Sequence, residues 1–199
     1  MKDKKVREKY LRRAAKGVDR IISIVKDLDL ITQFESGIKT VDRSEFNIFD
    51  LVDNVFDLLE FESEKNNISL KLENNNNSLI YVNADQERIL QVLTNLIVNS
   101  IKYGSDNGYT KVIVEDFNKE KVIVRIIDNG EGIEEEHIPR LFERFYRVEK
   151  SRSKERGGSG LGLSIVQKVL EAHNSKINVT SKLGKGTTFA FKLIIKQIG

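Results

Sequence analysis

The chain has 199 residues, 39% of them apolar and 32% charged, enough for one core plus an appendage, and its apolar residues recur periodically, which excludes a disordered chain. A net charge of +3, spread over 33 basic and 30 acidic residues, speaks against a dedicated nucleic-acid binder, and the absence of cysteine excludes disulfides, thiolate zinc sites and thiol nucleophiles. No apolar run approaches bilayer length and no signal peptide follows Met1, so a cytoplasmic location is expected, with any membrane anchor outside this chain.

Residues 6–34 have helical periodicity. Leu11, Ala14, Val18, Ile21, Val25 and Leu28 recur at spacings of three and four, a heptad-like seam suited to a partner helix, with a helix packed on its own domain as the alternative. Its basic start, from Lys2 to Arg13, reads as a solvated helix face. After the break at Ser36 and Gly37 the pattern predicts a strand over 45–48. A helix over 49–65 follows, with Leu51, Val55, Leu58 and Leu59 on one face. A strand over 68–72, a polar turn at 74–77, a strand over 79–82 and a helix over 85–103 come next, the helix stopping at Gly104. Residues 111–117 and 121–128 form a hairpin. A glycine-bearing loop then leads to a short helix starting near Pro139 and a polar loop over 147–159, of which residues 149–158 are expected to be mobile without ligand and partly ordered with it. A helix over 160–172 and strands over 176–181 and 187–195 close the chain. This mixture predicts a two-layer α/β sandwich, a mixed sheet with helices on one face, preceded by one long helix.

The motifs narrow the chemistry. Gln91, Asn95, Asn99 and Tyr103 recur every four residues and share one helix face; an amide stripe there is costly unless it meets water or a polar ligand, and an amide oxygen can coordinate Mg²⁺. Asp128-Asn129-Gly130-Glu131-Gly132-Ile133 ends a buried strand, where glycines allow close backbone approach and a carboxylate can accept from an exocyclic amine. Residues 157–164 put glycine-rich backbone at a helix N-terminus, a natural anion site. A dinucleotide fingerprint would need glycine where Leu163 stands, and a Walker A loop would need it where Val179 stands, so both fail. The stretch 141–147, Leu-Phe-Glu-Arg-Phe-Tyr-Arg, carries aromatics and cations ahead of a basic loop, which alone could equally be a solvated charged segment.

Taken together and in this order, these motifs resemble the ATP-binding domain of sensor histidine kinases, within the group that includes gyrase, HSP90 and the mismatch-repair ATPases and shares the Bergerat-type fold. Residues 90–103 look like the family's N box, 128–133 its first glycine box, 141–147 its F box, 158–162 its second glycine box, and 184–189 its terminal Gly-x-Gly-Thr-x-Phe. The first helix resembles the second helix of the family's dimerisation hairpin. The resemblance implies a boundary between residues 1–36 and an ATP-binding domain over 37–199. It further implies ATP and Mg²⁺ as ligands, a homodimer in the full-length protein, and relay of the phosphate to the receiver domain of a response regulator. Asn99 is implied to hold Mg²⁺, Lys102 to reach a phosphate, and Tyr103 to pack near the adenine. Asp128 is implied to read the adenine amine, with Gly130, Gly132 and Ile133 beside it and Thr187 supporting that end. Phe145 and the backbone of Gly158, Gly160, Leu161 and Gly162 are implied to hold the nucleotide, and Arg147 to approach the γ-phosphate. Asn95 stands where hydrolases of the group resemble one another in carrying a water-activating glutamate, which favours transfer over hydrolysis because an amide is no general base. Other readings are an ATP hydrolase, a nucleotide-sensing scaffold and a serine kinase of the anti-sigma type. His137 and His173 match no phosphorylated position and are expected to be exposed or structural. The chain is therefore expected to bind ATP yet not to phosphorylate itself, the acceptor histidine and the first hairpin helix lying elsewhere.

Overall fold

A computed structural model describes residues 2–37, 40–74, 79–148 and 158–196. Helix α1 runs Lys2–Glu35, β1 Ser44–Asn47, α2 Ile48–Lys65, β2 Ser69–Glu73, β3 Tyr81–Ala84, α3 Gln86–Tyr103, β4 Tyr109–Asn118, β5 Lys121–Asp128, α4 Gly162–Ala172, β6 Asn178–Lys182 and β7 Gly186–Ile194. One sheet has the order β2-β4-β5-β7-β6 and is antiparallel except where β2 and β4 pair in parallel. Strands β1 and β3 form a small separate ladder, joined to the main sheet by a bridge from Val82 to Ile195.

Alternation within the strands divides the two faces. Val112, Val114, Val122, Val124, Ile126, Phe189, Phe191 and Leu193 point inward and are buried beneath α2, α3 and α4. The residues between them, paired across the ladders as Ile113 with Arg125 and Ile123 with Lys192, occupy the half-exposed outer face. Each fully buried large side chain such as Phe191 or Ile97 contributes roughly 1.5–3 kcal/mol of apolar burial. Two helices are fixed at their starts. The Asn47 side chain accepts from the Phe49 N–H at the head of α2, and Asp85 accepts from the Arg88 N–H at the head of α3.

The predicted two-layer sandwich and its leading helix are both present. Several boundaries shift. The second helix starts at Ile48, the third strand lies two residues later than predicted, and the strand expected over 176–181 becomes Asn178–Lys182. Helix α4 begins at Gly162, not position 160, because Gly160 has φ +77°, outside helical space. The short helix is 3-10 over Glu135–Arg140, with Pro139 near its end instead of its start. Leu58 is 68% exposed, although it shares the face of buried Leu51; there α3 offers only Gln86, Glu87 and Leu90 across an open groove. Of the turn predicted over 74–77 and the polar loop predicted over 147–159, residues 75–77 and 149–157 lie outside the described residues.

Helix α1 behaves differently along its length. Leu30 and Ile31 are buried in the common core with Ile24, Leu28 and Phe34 against it, and the helix packs beside α4. Leu11, Val18, Ile21 and Val25, the earlier part of the seam, are exposed. No helix among the described residues is long and apolar enough to cross a membrane.

Candidate functional site

A cavity of about 730 Å³ opens between α3, the end of β5, the start of α4 and the start of β7. Such a volume lies within the range of small-molecule pockets, roughly 300–1,000 Å³. From α3 come Asn95, Asn99 and Tyr103, successive turns of the predicted stripe, with Lys102 beside them; from the end of β5 and its loop come Asp128, Gly132 and Ile133. Arg147, Gly158, Gly160, Gly162 and Thr187 complete the predicted set on its walls.

Asp128 anchors one end. Its Oδ1 accepts from the Gly130 N–H at 2.9 Å and from the Thr187 N–H at 3.0 Å, so a strand end and a β7 residue far along the chain are fixed by one oxygen. Burial raises the Asp128 pKa from its ordinary value, and those two N–H donors offset only part of that effect. Gly186, with φ +105°, lets β7 approach: a Cβ there would lie 2.0 Å from the Asp128 carbonyl oxygen. Ser181 closes the same corner. Its Oγ donates to the Gly186 carbonyl at 3.0 Å, lies 2.8 Å from Thr187 Oγ1 and accepts from the Ile133 N–H at 2.9 Å.

The other end is made of backbone. Phe145 N–H donates to the Gly160 carbonyl at 3.0 Å, tying the 141–147 stretch to the glycine-rich loop. A Cβ at Gly160 would lie 2.8 Å from Phe145 Cα, so this approach requires glycine. Among the described residues no side chain caps α4, whose N-terminus opens beside Gly160 and Gly162. A Cβ on Gly162 would come within 3.1 Å of Asn95 Oδ1, and one on Gly158 within 2.8 Å of Lys102 Nζ. Amide oxygens, a lysine and an uncapped helix start thus share one end. This donor set suits a polyanion, and hard oxygen donors suit Mg²⁺.

Three predicted site residues do not line the cavity. Leu161 is fully buried in the core, Gly130 supports the Asp128 turn from behind, and the Phe145 side chain is 55% exposed while its backbone carries the contact. The sequence reading missed Glu131, Glu134, Tyr146 and Ser100 among the lining residues, and Ser181 behind them. Tyr146 and Glu131 fell within noted motifs, whereas a lone serine in a strand gives no signal. His137 is half-buried with Nδ1 2.7 Å from the Tyr146 hydroxyl. His173 is buried: its Nδ1 donates to the Val169 carbonyl at 2.7 Å and its Nε2 accepts from the Asp85 N–H at 3.0 Å. That is a structural role, as expected for this residue.

Residues 84–197 match the model of the histidine kinase-, DNA gyrase B- and HSP90-like ATPases. The sensor histidine kinase WalK of Bacillus subtilis is 31% identical over 196 residues, 98% of this chain and 32% of WalK. The sensor protein SrrB of Staphylococcus aureus is 45% identical over 109 residues, 55% of this chain and 18% of SrrB. The chain therefore spans about a third or less of the length of these curated relatives. Among solved structures, the nucleotide-free catalytic domain of histidine kinase ThkA superposes with a TM-score of 0.66 at 34% identity, covering 77% of this chain and 95% of that domain. ThkA in complex with the response regulator protein TrrA gives a TM-score of 0.65 at 30% identity, covering 90% of this chain and 50% of that one. Full-length ShkA in complex with AMPPNP shares the fold, with a TM-score of 0.80 at 22% identity over 91% of this chain and 37% of that chain. With the cavity built from motifs inside the matched span, and that span exceeding half its length, the chain belongs to the histidine kinase-, DNA gyrase B- and HSP90-like ATPase family and is homologous to the sensor histidine kinases WalK and SrrB.

Proposed function

We propose that the chain is the catalytic part of a sensor histidine kinase, with an ATP-binding domain over 37–199, and that it binds Mg·ATP in this cavity and presents the γ-phosphate to a histidine outside these 199 residues. The observation that carries the proposal is the polarity of the cavity. A half-buried carboxylate is fixed at one end, and amides, a lysine and an uncapped helix start gather at the other. Adenine sits at the Asp128 end, where the carboxylate accepts from its exocyclic amine and Thr187 keeps that carboxylate in place. Tyr103 and Ile133 flank the base. The polyphosphate lies toward Lys102, Arg147 and the backbone of Gly158, Gly160 and Gly162.

Asn99 holds Mg²⁺ through its amide oxygen, with Asn95 one turn away. When bound, the ion neutralises charge on the phosphates. Arg147 offsets charge at the transferring phosphoryl group, and the chain's own task is positioning and charge stabilisation. Asn95 cannot take a proton from water near neutral pH, so the site favours transfer to a positioned nucleophile over hydrolysis. Neither histidine of this chain serves as acceptor. His173 has both ring nitrogens committed to backbone partners, and His137 is engaged by Tyr146. The α1 seam pairs two copies, the phosphate passes to a receiver-domain aspartate, and the protein works in the cytoplasm. The ThkA–TrrA complex, at 30% identity, supports the receiver partner.

Calorimetry with Mg²⁺ tests the nucleotide reading. ATP and ADP should bind and GTP should bind much more weakly, because guanine presents a carbonyl where adenine presents the amine. Asp128→Asn should weaken ATP by about 10–100-fold, the worth of a hydrogen bond to a charged group. Equal affinity for ATP and GTP would sink the adenine role. Incubation with labelled ATP should leave no acid-labile phosphate on this chain, and labelling of His137 or His173 would overturn their exclusion.

A further inference from the structure

Among the described residues, helix α1 meets the rest of the molecule at two polar points. At its last residue, Glu35 pairs with Arg144 and lies 3.8 Å from Lys168 Nζ on α4. About four turns earlier, Arg20 Nη2 donates to the Gly158 carbonyl at 3.0 Å. Between them Ile24, Leu28 and Ile31 pack into the core, so α1 lies along α4 with Arg20 at the end where the cavity opens. Gly158 is itself a cavity wall, and Lys102 Nζ borders it from α3. Two cations from distant parts of the chain therefore converge on one glycine near the uncapped start of α4.

Arg20 is well suited to an anion there. Its bond to Gly158 uses one of five guanidinium donors. The residues one turn away on its own helix are Lys16, Gly17, Ser23 and Ile24, none of them acidic. An arginine fork matches phosphate oxygens in a way that a single carbonyl does not exhaust.

Resting on the nucleotide reading above, we infer that Arg20 is a phosphate-binding residue contributed by α1. It contacts the terminal phosphate of a bound nucleoside triphosphate, so that docking of α1 and binding of the triphosphate favour each other. The coupling is reciprocal by linkage. It is selective because Arg20 reaches the glycine-loop end of the cavity and not the Asp128 end.

The test uses the whole 199-residue chain, Mg²⁺, a non-hydrolysable ATP analogue and ADP, with affinities from calorimetry. Arg20→Gln should weaken the triphosphate analogue about tenfold and leave ADP within about twofold. Arg20→Lys should recover part of the loss, since charge returns without the fork. Glu35→Gln loosens α1 at the far end without touching the cavity, and should give a smaller loss, again for the triphosphate alone. The melting temperature of ligand-free Arg20→Gln should match that of the unaltered chain, which separates the effect from misfolding. Equal weakening of both nucleotides, or no weakening of either, would overturn the inference while leaving the nucleotide reading intact. If the unaltered chain bound neither nucleotide, that reading would fall and this inference with it.

Discussion

His173 shows how one side chain links stability to pH. Its Nδ1 donates and its Nε2 accepts, so the neutral imidazole fits and the imidazolium would set N–H against the Asp85 N–H. Burial is the largest cause pushing its pKa below the ordinary histidine value of 6.5; the Val169 carbonyl and the Asp85 charge oppose this, and the nearby Arg43 charge reinforces it. Well above pH 6.5 the residue is neutral in both states and adds no pH dependence. As pH falls below that value the unfolded chain takes up a proton that the folded chain resists, and stability is lost. His173→Asn keeps a donor for Val169 but removes the titration. Its deficit against the unaltered chain in denaturant midpoint should shrink between pH 7.5 and 5.5, and a constant deficit would contradict the account. Asp128 has the opposite displacement: its pKa is raised, so the ionised acceptor is lost at a higher pH than for an ordinary aspartate. As pH falls, nucleotide affinity should accordingly weaken at a higher pH than an ordinary aspartate would set, and Asp128→Asn should remove that dependence.

At the scale of elements, spacing carried most of the information where periodicity was long. The stripe Gln91, Asn95, Asn99 and Tyr103 was readable because α3 is long and the opposite face is apolar; its last three residues line the cavity, whereas Gln91, a turn earlier, lies outside it and accepts from Arg88. The glycine loops were readable as backbone that must approach something, but not what they approach. Gly186 meets the Asp128 carbonyl and Gly160 meets Phe145, contacts between segments far apart in the chain. The same limit hid Ser181 and the parallel pairing of β2 with β4, since neither leaves a local pattern. Pro139 misled in a different way: it marked a helical segment correctly but closes that segment instead of opening it. Gly186→Ala offers a check on the corner it builds. With a Cβ forced to 2.0 Å from a backbone oxygen at positive φ, both melting temperature and ATP affinity should fall. An unchanged affinity would mean that the Thr187–Asp128 link is not needed for binding.

For the whole molecule, the exposed length of α1 is the feature most in want of a partner. Val18, Ile21 and Val25 are each more than half exposed, on a helix whose last turns are already packed into the core. A contiguous apolar stripe of this kind marks an interaction face. Light scattering should find a dimer, and the pair Ile21→Asp with Val25→Asp should give a monomer that still binds nucleotide. A monomeric unaltered chain would remove the seam from the proposal. The sheet order has a further consequence, in time instead of space. Strand β7 is made after β6 yet lies between β5 and β6, and it brings Thr187 to Asp128. While the ribosome has released only the first part of the chain, β6 has no neighbour to join and the Asp128 carboxylate lacks one of its two backbone donors. The adenine end of the cavity thus closes among the last events of synthesis, and a chain interrupted before β7 carries every box but the last and has no finished pocket.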